Sequence, residues 1–447
     1  MSLRDNAIGE YHQLLVRDGT LSPKTFKKLR AAMRRGLLVY GDRPIGVALR
    51  PHLLEQSQFT SLTRNAELLA SAFEKIATAA VQSPALMEEL GLTETEQKLA
   101  LVDPGFSLGA ITSRIDGFVH GSEIKFVEYN AENPSSLSDQ EGLNRLLSDL
   151  PEMATFVSRY SLRQFSPVEQ LLEALLATYR EWGGSGVPNI AIVDWKDVPT
   201  ANEFVLLRDY FERHRVRTII CSPHSLEYAG RKLWCGDFQI DLVYKRIIIH
   251  ELLGHYGENH PLVHAYLHRD VCLVNPFRSK IMHKKASFEP LTDETRQNWF
   301  TRQEQKAIRQ SALWTRRLHD RRTGYGGKKV ELLKFVRQRR EQLVIKPNDD
   351  YGGRGIHIGS RLTEREWDEA IETGLSEDYV VQEAVTLHAE EFPIFTENKW
   401  GLQPMFVDTN PFLFRGKVCG AMVRLSSSPV VNVTAGGGET GFFVLED

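Results

Sequence analysis

The stretch from Leu343 to Gly359 reads LVIKPNDDYGGRGIHIG and is the part of the sequence that most strongly indicates the fold. It opens with a short apolar run, Leu343 to Ile345, whose length and β-branched residues are typical of a strand. Lys346 and Pro347 end this run, and Ile356 to Gly359 reads as a second strand. The stretch therefore predicts two strands joined by a glycine-rich turn.

The turn between these strands contains three glycines, Gly352, Gly353 and Gly355. Glycines leave backbone N–H groups uncovered by a Cβ atom, and such groups bind anions. Lys346 adds a positive charge at the end of the first strand, which suits a phosphate group. The spacing is not that of a Walker loop, and no helix follows the turn. An ordinary hairpin turn is the alternative interpretation.

The composition of the 447-residue chain is that of a globular protein, with 42% apolar and 25% charged residues. This length predicts two or three domains. The formal net charge of −3 gives no reason to expect binding to nucleic acid. The four cysteines are scattered, so neither a zinc site nor a disulfide framework is predicted. No apolar run is long enough for a membrane span and the N-terminus lacks a signal-peptide core, so we expect a cytoplasmic protein without membrane association.

Residues 110–130 predict a second hairpin, made of two strand-like segments joined by the turn-rich sequence HGSE. Side chains two positions apart on a strand share a face, so Arg114 lies with Asp116 and Glu128 lies with Asn130. A register that pairs Asp116 with Glu128 also sets Arg114 opposite Asn130. One face then holds two carboxylates, an amide oxygen and a guanidinium group, a set that suits Mg²⁺ beside an anion. The alternative is a solvated polar face.

Two further regions are indicated by periodicity. Residues 1–104 carry apolar residues at helical spacing and predict a mainly helical region. Residues 160–280 predict a small Rossmann-like α/β unit, with buried parallel strands at Ile190–Asp194 and Arg217–Cys221 and a helix over Asn202–His214. Loops at the carboxyl ends of such strands commonly bind ligands. This placement favours a substrate-facing role for one of three residues: Asp194, Lys245 or Arg246.

Three other sequence patterns resemble metal or nucleic-acid sites, but ordinary packed or solvated helix faces explain them better. His250 and His255 resemble a zinc-protease pair, but they are five residues apart and would diverge by about 140° on a helix. The histidines between residues 260 and 268 share a helical face without a carboxylate, which favours a packed or solvated face over a metal site. The basic residues of 302–340 alternate with acidic ones, which favours a solvated helix face over a nucleic-acid interface.

Together, the turn and the acidic hairpin resemble the ATP-grasp superfamily of carboxylate–amine ligases. In D-alanine–D-alanine ligase and glutathione synthetase the hairpin reads Arg-x-Asp, then Glu-x-Asn, followed by a proline and small residues. This sequence matches that pattern with Arg114-Ile-Asp116, Glu128-Tyr-Asn130 and Asn133-Pro134-Ser135. In those families the turn comes before the hairpin, whereas here the hairpin comes more than 200 residues earlier. Joining Asp447 to about residue 105 would restore the usual order, so the chain is similar to circularly permuted ATP-grasp proteins such as glutathionylspermidine synthetase-like ligases.

This resemblance implies a chain of mixed α+β and α/β class with a circularly permuted ATP-grasp fold. The implied parts are an N-terminal mainly helical region (residues 1–104), an ATP-grasp segment with the metal-binding hairpin (105–150), a pre-ATP-grasp-like α/β domain (160–280), and an ATP-grasp segment with the phosphate-covering turn and a C-terminal flap (281–447). The three glycines near the C-terminus predict that residues 434–439 form a mobile flap.

The resemblance also implies the residues that contact ATP. They are two lysines on the phosphates, the turn above them, the connection that contacts adenine, and a glutamate on the ribose: Lys285, Lys346, Tyr351, Gly352, Gly353, Gly355, Gln382, Glu383, Val385 and Glu391. Lys284 is the alternative to Lys285, and Glu390 is the alternative to Glu391.

Three further residues correspond to the magnesium ligands of the family, and the resemblance implies that they hold two ions: Asp116, Glu128 and Asn130. Arg114, Arg424 and Asn432 correspond to residues around the transferred phosphoryl group and the metal centre. Arg246 sits where permuted members carry an arginine, and the resemblance implies no role for it.

The function implied by the resemblance is an ATP- and Mg²⁺-dependent, ADP-forming carbon–nitrogen ligase. It would join a small-molecule or peptide carboxylate to an amine through an acyl phosphate, with metal ions and lysines neutralising the two anionic substrates. The alternatives are a phosphotransferase and an ATP-binding protein without turnover. The pair Ser135-Ser136 replaces the glycine-rich step of D-alanine ligases, so the motifs specify neither the acid nor the amine nor an oligomeric state.

Overall fold

The computed structural model describes residues 2–17, 23–396, 399–434 and 436–446. Within these residues the chain is a mixture of α-helices and several separate β-sheets. The α-helices are Leu3–Arg17, Pro23–Arg35, Gln56–Val81, Pro84–Glu89, Glu94–Leu101, Leu137–Ser148, Pro151–Val157, Pro167–Trp182, Ala201–Arg213, Ile249–Tyr256, Pro261–Leu267, Lys280–His283, Phe288–Thr292, Arg302–Ser311, Leu332–Gln338 and Glu364–Ser376. Short 3₁₀ helices lie at Pro223–Ser225, Gly257–Asn259, Phe277–Ser279, Lys285–Ser287, Glu294–Trp299, Arg340–Gln342 and Gly359–Arg361.

The N-terminal part is mainly helical, as the periodicity predicted, and its longest helix, Gln56–Val81, packs into the largest hydrophobic core. A capping box between Glu55 and Gln58 fixes the start of this helix. The next helix, Pro84–Glu89, is separate from this one, because Pro84 begins a new helix after the capping Ser83. This core also contains side chains from the predicted acidic hairpin, so the helix supports the back of that hairpin.

The acidic hairpin belongs to a six-stranded antiparallel sheet. Its strands in spatial order are Gly438–Thr440, Lys417–Ser426, Lys399–Phe414, Thr112–His120 and Glu123–Asn130, with Ala389–Thr396 paired to Lys399–Phe414 as well. The predicted shared face is confirmed, because Asp116 lies opposite Glu128 and Arg114 lies opposite Asn130. An irregularity after Asp116 then shifts the pairing.

The glycine-rich turn belongs to a second antiparallel sheet, of strand order Thr315–Arg317, Tyr379–Glu383, Leu343–Pro347 and His357–Ile358. The predicted pairing of the two strands around the turn is confirmed, although the second strand has only two residues. It is short because the chain bends into a 3₁₀ helix at Gly359. The helix Glu364–Ser376 begins with a capping box at Thr363 and packs on this sheet.

The predicted small α/β unit contains a parallel sheet of order Thr218–Cys221, Ile190–Val193, Leu242–Lys245 and Cys272–Val274. The inner strand Ile190–Val193 is buried on both faces, which explains its continuous apolar run in the sequence. The remaining short strands are Val39–Tyr40, Arg43–Pro44, His52–Glu55, Leu162–Arg163, Leu226–Ala229, Lys232–Cys235, Phe238–Ile240, Arg322–Tyr325, Lys328–Glu331 and Phe442–Leu445.

In the part of the chain that the structure describes, no helix combines the length and the apolar character needed to cross a lipid bilayer.

Because the helix Gln56–Val81 packs into the largest core, shortening one of its buried side chains should cost much stability. Leu69 is fully buried in this core, so Leu69→Ala should lower the free energy of unfolding by about 2–5 kcal/mol, because it removes apolar contacts and leaves a cavity. Leu375→Ala is the matched control, since Leu375 is 40% exposed, and it should cost less than about 1 kcal/mol. Urea unfolding followed by circular dichroism measures both, and equal losses would contradict the assignment of this core.

Candidate functional site

The glycine-rich turn and the acidic hairpin, more than 200 residues apart in the sequence, line one cavity of about 530 Å³. Its walls come from the two antiparallel sheets. The sequence-predicted residues that line it are Asp116, Glu128, Lys285, Lys346, Tyr351, Gly352, Gly353, Gln382, Glu383, Val385, Arg424 and Asn432. The two motifs therefore meet, as the sequence interpretation requires.

Two lysines project into this cavity. Lys346 is 5% exposed, and its Nζ atom donates to the Val127 carbonyl and to Gln382 Oε1, both at 2.8 Å. Burial lowers the pKa of Lys346 to about 8, with Glu128 acting in the opposite direction. Lys285 lies 3.1 Å from Glu128 Oε1, so two cationic groups stand beside the hairpin. Such a pair suits an anionic ligand.

The adjacent Lys284 has different surroundings. Its Nζ atom donates to Asp349 Oδ2 at 2.8 Å and lies 3.3 Å from a Glu96 oxygen. Lys284 does not line the cavity, whereas Lys285 does. Of the two alternatives that the sequence left open, Lys285 is the one that reaches the cavity.

The turn has the backbone conformation that glycine permits. Gly352, Gly353 and Gly355 have φ angles of 74°, 79° and 64°, in the region that other residues rarely adopt. Gly355 does not line the cavity, but a Cβ atom there would lie 2.8 Å from both Pro347 Cγ and the Tyr379 hydroxyl. Gly355 is therefore required for the shape of the turn rather than for contact with a ligand.

The start of the turn is anchored by a buried ionic network that the sequence did not reveal. Lys280 is fully buried, and its Nζ atom lies 2.7 Å from Asp349 Oδ1 and 2.9 Å from Glu132 Oε1. Burial opposes charge on Asp349, but Lys280 and His250 outweigh it and hold the pKa of Asp349 far below its usual range. Glu132, His283 and Asp349 lie close enough to hold a metal ion, yet Lys280 already occupies the space between two of them. No periodic pattern marks these residues in the sequence.

The aspartate of the hairpin is held between two arginines. Arg114 Nε donates to Asp116 Oδ1 at 2.6 Å, and Arg424 Nη2 donates to Asp116 Oδ2 at 2.7 Å. Burial alone would raise the pKa of Asp116, but Arg114 and Arg424 lower it to about 2. Arg424 also donates from Nε to Asp408 Oδ2 at 2.8 Å. Asp408 was not singled out in the sequence, where it is one polar residue in a long strand.

A second cavity of about 290 Å³ adjoins the first, and the hairpin lies between them. Arg114 and Asn130 line this second cavity and not the first, whereas Asp116, Glu128 and Arg424 line both. Arg246 is 2% exposed and also lines the second cavity, where its Nη2 atom lies 3.5 Å from Glu203 Oε2.

Glu391, which the resemblance assigned to the ribose, is exposed and does not line the cavity. The alternative, Glu390, forms ion pairs with Arg4 and Arg50 and does not line it either. Side chains alternate along the strand Ala389–Thr396, so once Glu390 faces these arginines, Glu391 points outward. The carboxylates that do line this cavity near Gln382 are Glu341 and Glu383.

The prediction of a mobile flap over residues 434–439 also needs correction. Gly438 and Glu439 begin a strand that pairs with Lys417–Ser426, and Glu439 is 1% exposed. Gly437 N donates to the Asn432 carbonyl at 2.9 Å, so the second half of the segment is tied to the sheet. Ala435 lies outside the described residues.

The chain was compared with known proteins. No protein-family model matches the sequence, and no curated protein matches it. Among solved structures, a glutathione synthetase-like effector from Globodera pallida in its apo form is similar, with a TM-score of 0.57 at 12% identity, over 93% of this chain and 95% of that chain. A protein provisionally named a gamma-glutamylcysteine synthetase, from Methylobacillus flagellatus KT, matches with a TM-score of 0.42 at 11% identity, over 86% of each chain. The first likeness shows that this chain shares the fold of a glutathione synthetase-like protein.

Because Asp116 pairs with both Arg114 and Arg424, removing the charge of Arg424 should lower stability in a pH-dependent way. Arg424→Gln should lower the free energy of unfolding at pH 7 by about 3–5 kcal/mol, because the buried Asp408 loses its cation and Asp116 loses one of its two. The pKa of Asp116 is lowered in the folded protein, so its stabilising contribution is present above about pH 4 and is lost as the pH falls toward 2. The difference from the wild type should therefore shrink on acidification.

Urea unfolding between pH 7 and pH 3 measures this difference. Arg365→Gln is the control, because Arg365 is 88% exposed in its ion pair with Glu369 and should have no measurable effect. The pairing of Arg424 with Asp116 would be contradicted if Arg424→Gln and the wild type had the same free energy of unfolding at pH 7. It would also be contradicted if the difference between them grew as the pH fell.

Proposed function

We propose that this chain is an ATP- and Mg²⁺-dependent, ADP-forming ligase that joins a carboxylate to an amine through an acyl phosphate. The observation that carries the proposal is the shared cavity, in which two lysines and the glycine-rich turn face the carboxylates of the hairpin. On this proposal the fold is a circularly permuted ATP-grasp fold, consistent with the likeness to a glutathione synthetase-like protein over nearly the whole chain.

The first cavity suits ATP. Lys285 and Lys346 would neutralise phosphate oxygens, and the N–H groups of Gly352 and Gly353 would cover them. Gln382 to Val385 would lie along the adenine, where Val385 offers an apolar surface. A volume of about 530 Å³ is in the range of pockets that take small ligands.

The donors of the hairpin fit Mg²⁺, which prefers carboxylate and amide oxygens beside phosphate. Glu128 lines both cavities and Asn130 lines the second, so both side chains face the space where a metal would lie. Asp116 already accepts from two arginines and from Asn130, so it would join the ligands only by giving up one of these contacts. When bound, Mg²⁺ would neutralise phosphate charge and align the γ-phosphoryl group with the attacking carboxylate.

The side chains of this site then act in two steps. Lys285, Lys346 and Arg424 hold the phosphates while an oxygen of the substrate carboxylate attacks the γ-phosphorus atom, and ADP leaves. The amine nitrogen next attacks the acyl carbon, the bond from that carbon to the phosphate oxygen breaks, and inorganic phosphate leaves with the electron pair. The amine loses a proton in this second step. The acyl phosphate must be kept from water until the amine attacks it.

The alternatives differ in what they release. A phosphotransferase would release ADP and retain the phosphorylated acid without an amine, and a binding protein would release neither product. We expect ADP and phosphate in equal amounts only when ATP, an acid and an amine are all present. The test is coupled detection of both products across a panel of amino acids, peptides and polyamines. ATP binding without product formation across the panel would favour the binding protein, and ADP without phosphate would favour the phosphotransferase.

The metal assignment makes a sharper prediction. Glu128→Gln should abolish turnover, because it removes a negative charge from the metal site but almost no volume. It should leave the thermal unfolding midpoint near that of the wild type. Glu123→Gln is the matched control on the same hairpin, since the Glu123 side chain is 60% exposed, and it should keep wild-type turnover. An active Glu128→Gln enzyme would contradict the metal assignment.

A further inference from the structure

The helix Pro23–Arg35 carries positive charge and no negative charge. Its sequence, PKTFKKLRAAMRR, contains six lysines and arginines and no acidic residue. The chain as a whole has a formal net charge of −3, so this helix stands out from the rest of the protein. A helix with a dense group of positive charges is typical of a surface that meets an anionic partner.

The basic residues of this helix lie on one side and its large apolar residues lie on the other. At about 3.6 residues per turn, the six basic residues fall within an arc of about 160°. Phe26, Leu29 and Met33 fall outside that arc, and they pack into two hydrophobic cores. The helix is therefore held to the protein by its apolar side, which leaves its basic side toward solvent.

The charges on the basic side have no acidic partner. We call five of its residues the basic face: Lys27, Lys28, Arg30, Arg34 and Arg35. Four of them are exposed, and Arg30 is partly buried with its guanidinium carbon 5.7 Å from the centroid of the Phe26 ring. None of the five forms an ion pair with a residue that the structure describes. The positive charge of the basic face is therefore not balanced within the protein.

The basic face offers charge but few other means of recognition. No aromatic or amide side chain of this helix falls within the arc of its basic residues. Protein interfaces are commonly anchored by aromatic side chains, and single-stranded nucleic acids stack on aromatic rings. A layer of anionic lipid headgroups needs neither, because clustered lysines and arginines are attracted to it by charge alone.

A neighbouring apolar side chain favours lipid over a nucleic-acid duplex. Val16 lies near the end of the helix Leu3–Arg17 and is 66% exposed. The two helices share one hydrophobic core, because Leu15 packs in the same cluster as Phe26 and Leu29. An exposed apolar side chain beside a basic surface can enter the lipid interface, whereas a duplex backbone offers it only charged phosphates.

We infer that the basic face docks this protein on membranes that contain anionic lipids. Its lysines and arginines would lie against the headgroups while the helix stays packed on the protein. The chain continues from this helix to Val39 and Tyr40, which line the second cavity, so docking would hold that cavity near the membrane. The lack of a long apolar run, from which the sequence predicts no membrane association, does not exclude docking of this kind. The inference does not depend on the proposed function.

The test is co-sedimentation of the full chain with two kinds of vesicle, one of phosphatidylcholine alone and one that also contains phosphatidylserine. We expect binding only to the vesicles with phosphatidylserine, and less binding as salt is added, because salt screens the attraction. Lys27→Glu combined with Lys28→Glu should weaken this binding on the order of tenfold or more, because two attractive charges become repulsive.

The matched control is Lys328→Glu combined with Lys329→Glu. These two adjacent lysines are exposed on the strand Lys328–Glu331, so the control changes the net charge equally and should bind vesicles as the wild type does. Circular dichroism shows whether each variant is folded. If the helix variant does not fold, Arg34→Gln combined with Arg35→Gln tests the same face from its last turn, with a loss of binding expected again.

Four results would overturn the inference: equal binding to both kinds of vesicle, no binding to either kind, unchanged binding in the folded helix variant, or an equal loss in the control. Fluorescence anisotropy with a labelled DNA duplex at the same salt concentration covers the other class of partner. Binding of the duplex without binding of phosphatidylserine vesicles would assign the basic face to nucleic acid instead.

Discussion

The buried pairing of Asp116 with Arg114 and Arg424 is the interaction on which the site depends. It joins the hairpin to a strand that is more than 300 residues later in the chain, and Asp408 balances the second positive charge. Neither arginine could be buried without these carboxylates, since an uncompensated buried charge is strongly unfavourable. The network therefore fixes the edge at which the two cavities meet. On the proposed function, Arg424 would stabilise the charge that develops on the transferred phosphoryl group.

A second ionic network performs the same task for the glycine-rich turn. Lys280 links Asp349, at the start of the turn, to Glu132, which follows the hairpin. The turn is thereby attached to the hairpin through buried charges, while Gly352 and Gly353 line the first cavity. On the proposed function, a turn that is anchored at its start and lines the cavity with glycines suits a segment that must cover phosphates and then release them.

Much of this arrangement could be predicted from local sequence. The shared polar face of the hairpin followed from the two-residue period of a strand, which places Arg114 with Asp116 and Glu128 with Asn130. Contacts made across the fold leave no such pattern. Asp408 and Glu439 lie in strands that read as ordinary, and only the folded chain brings them to Arg424 and Ser136. The orientation of Glu391 also depends on distant contacts, because its neighbour Glu390 pairs with Arg4 and Arg50.

The central claim is that the turn and the hairpin hold one nucleotide between them. A crystal structure of the full chain with Mg²⁺ and a non-hydrolysable ATP analogue tests it most directly. The account predicts phosphate oxygens within hydrogen-bond distance of Lys285 and Lys346, beneath Gly352 and Gly353, with the metal bound to Glu128. A nucleotide bound elsewhere, or one whose phosphates contact neither lysine, would contradict it.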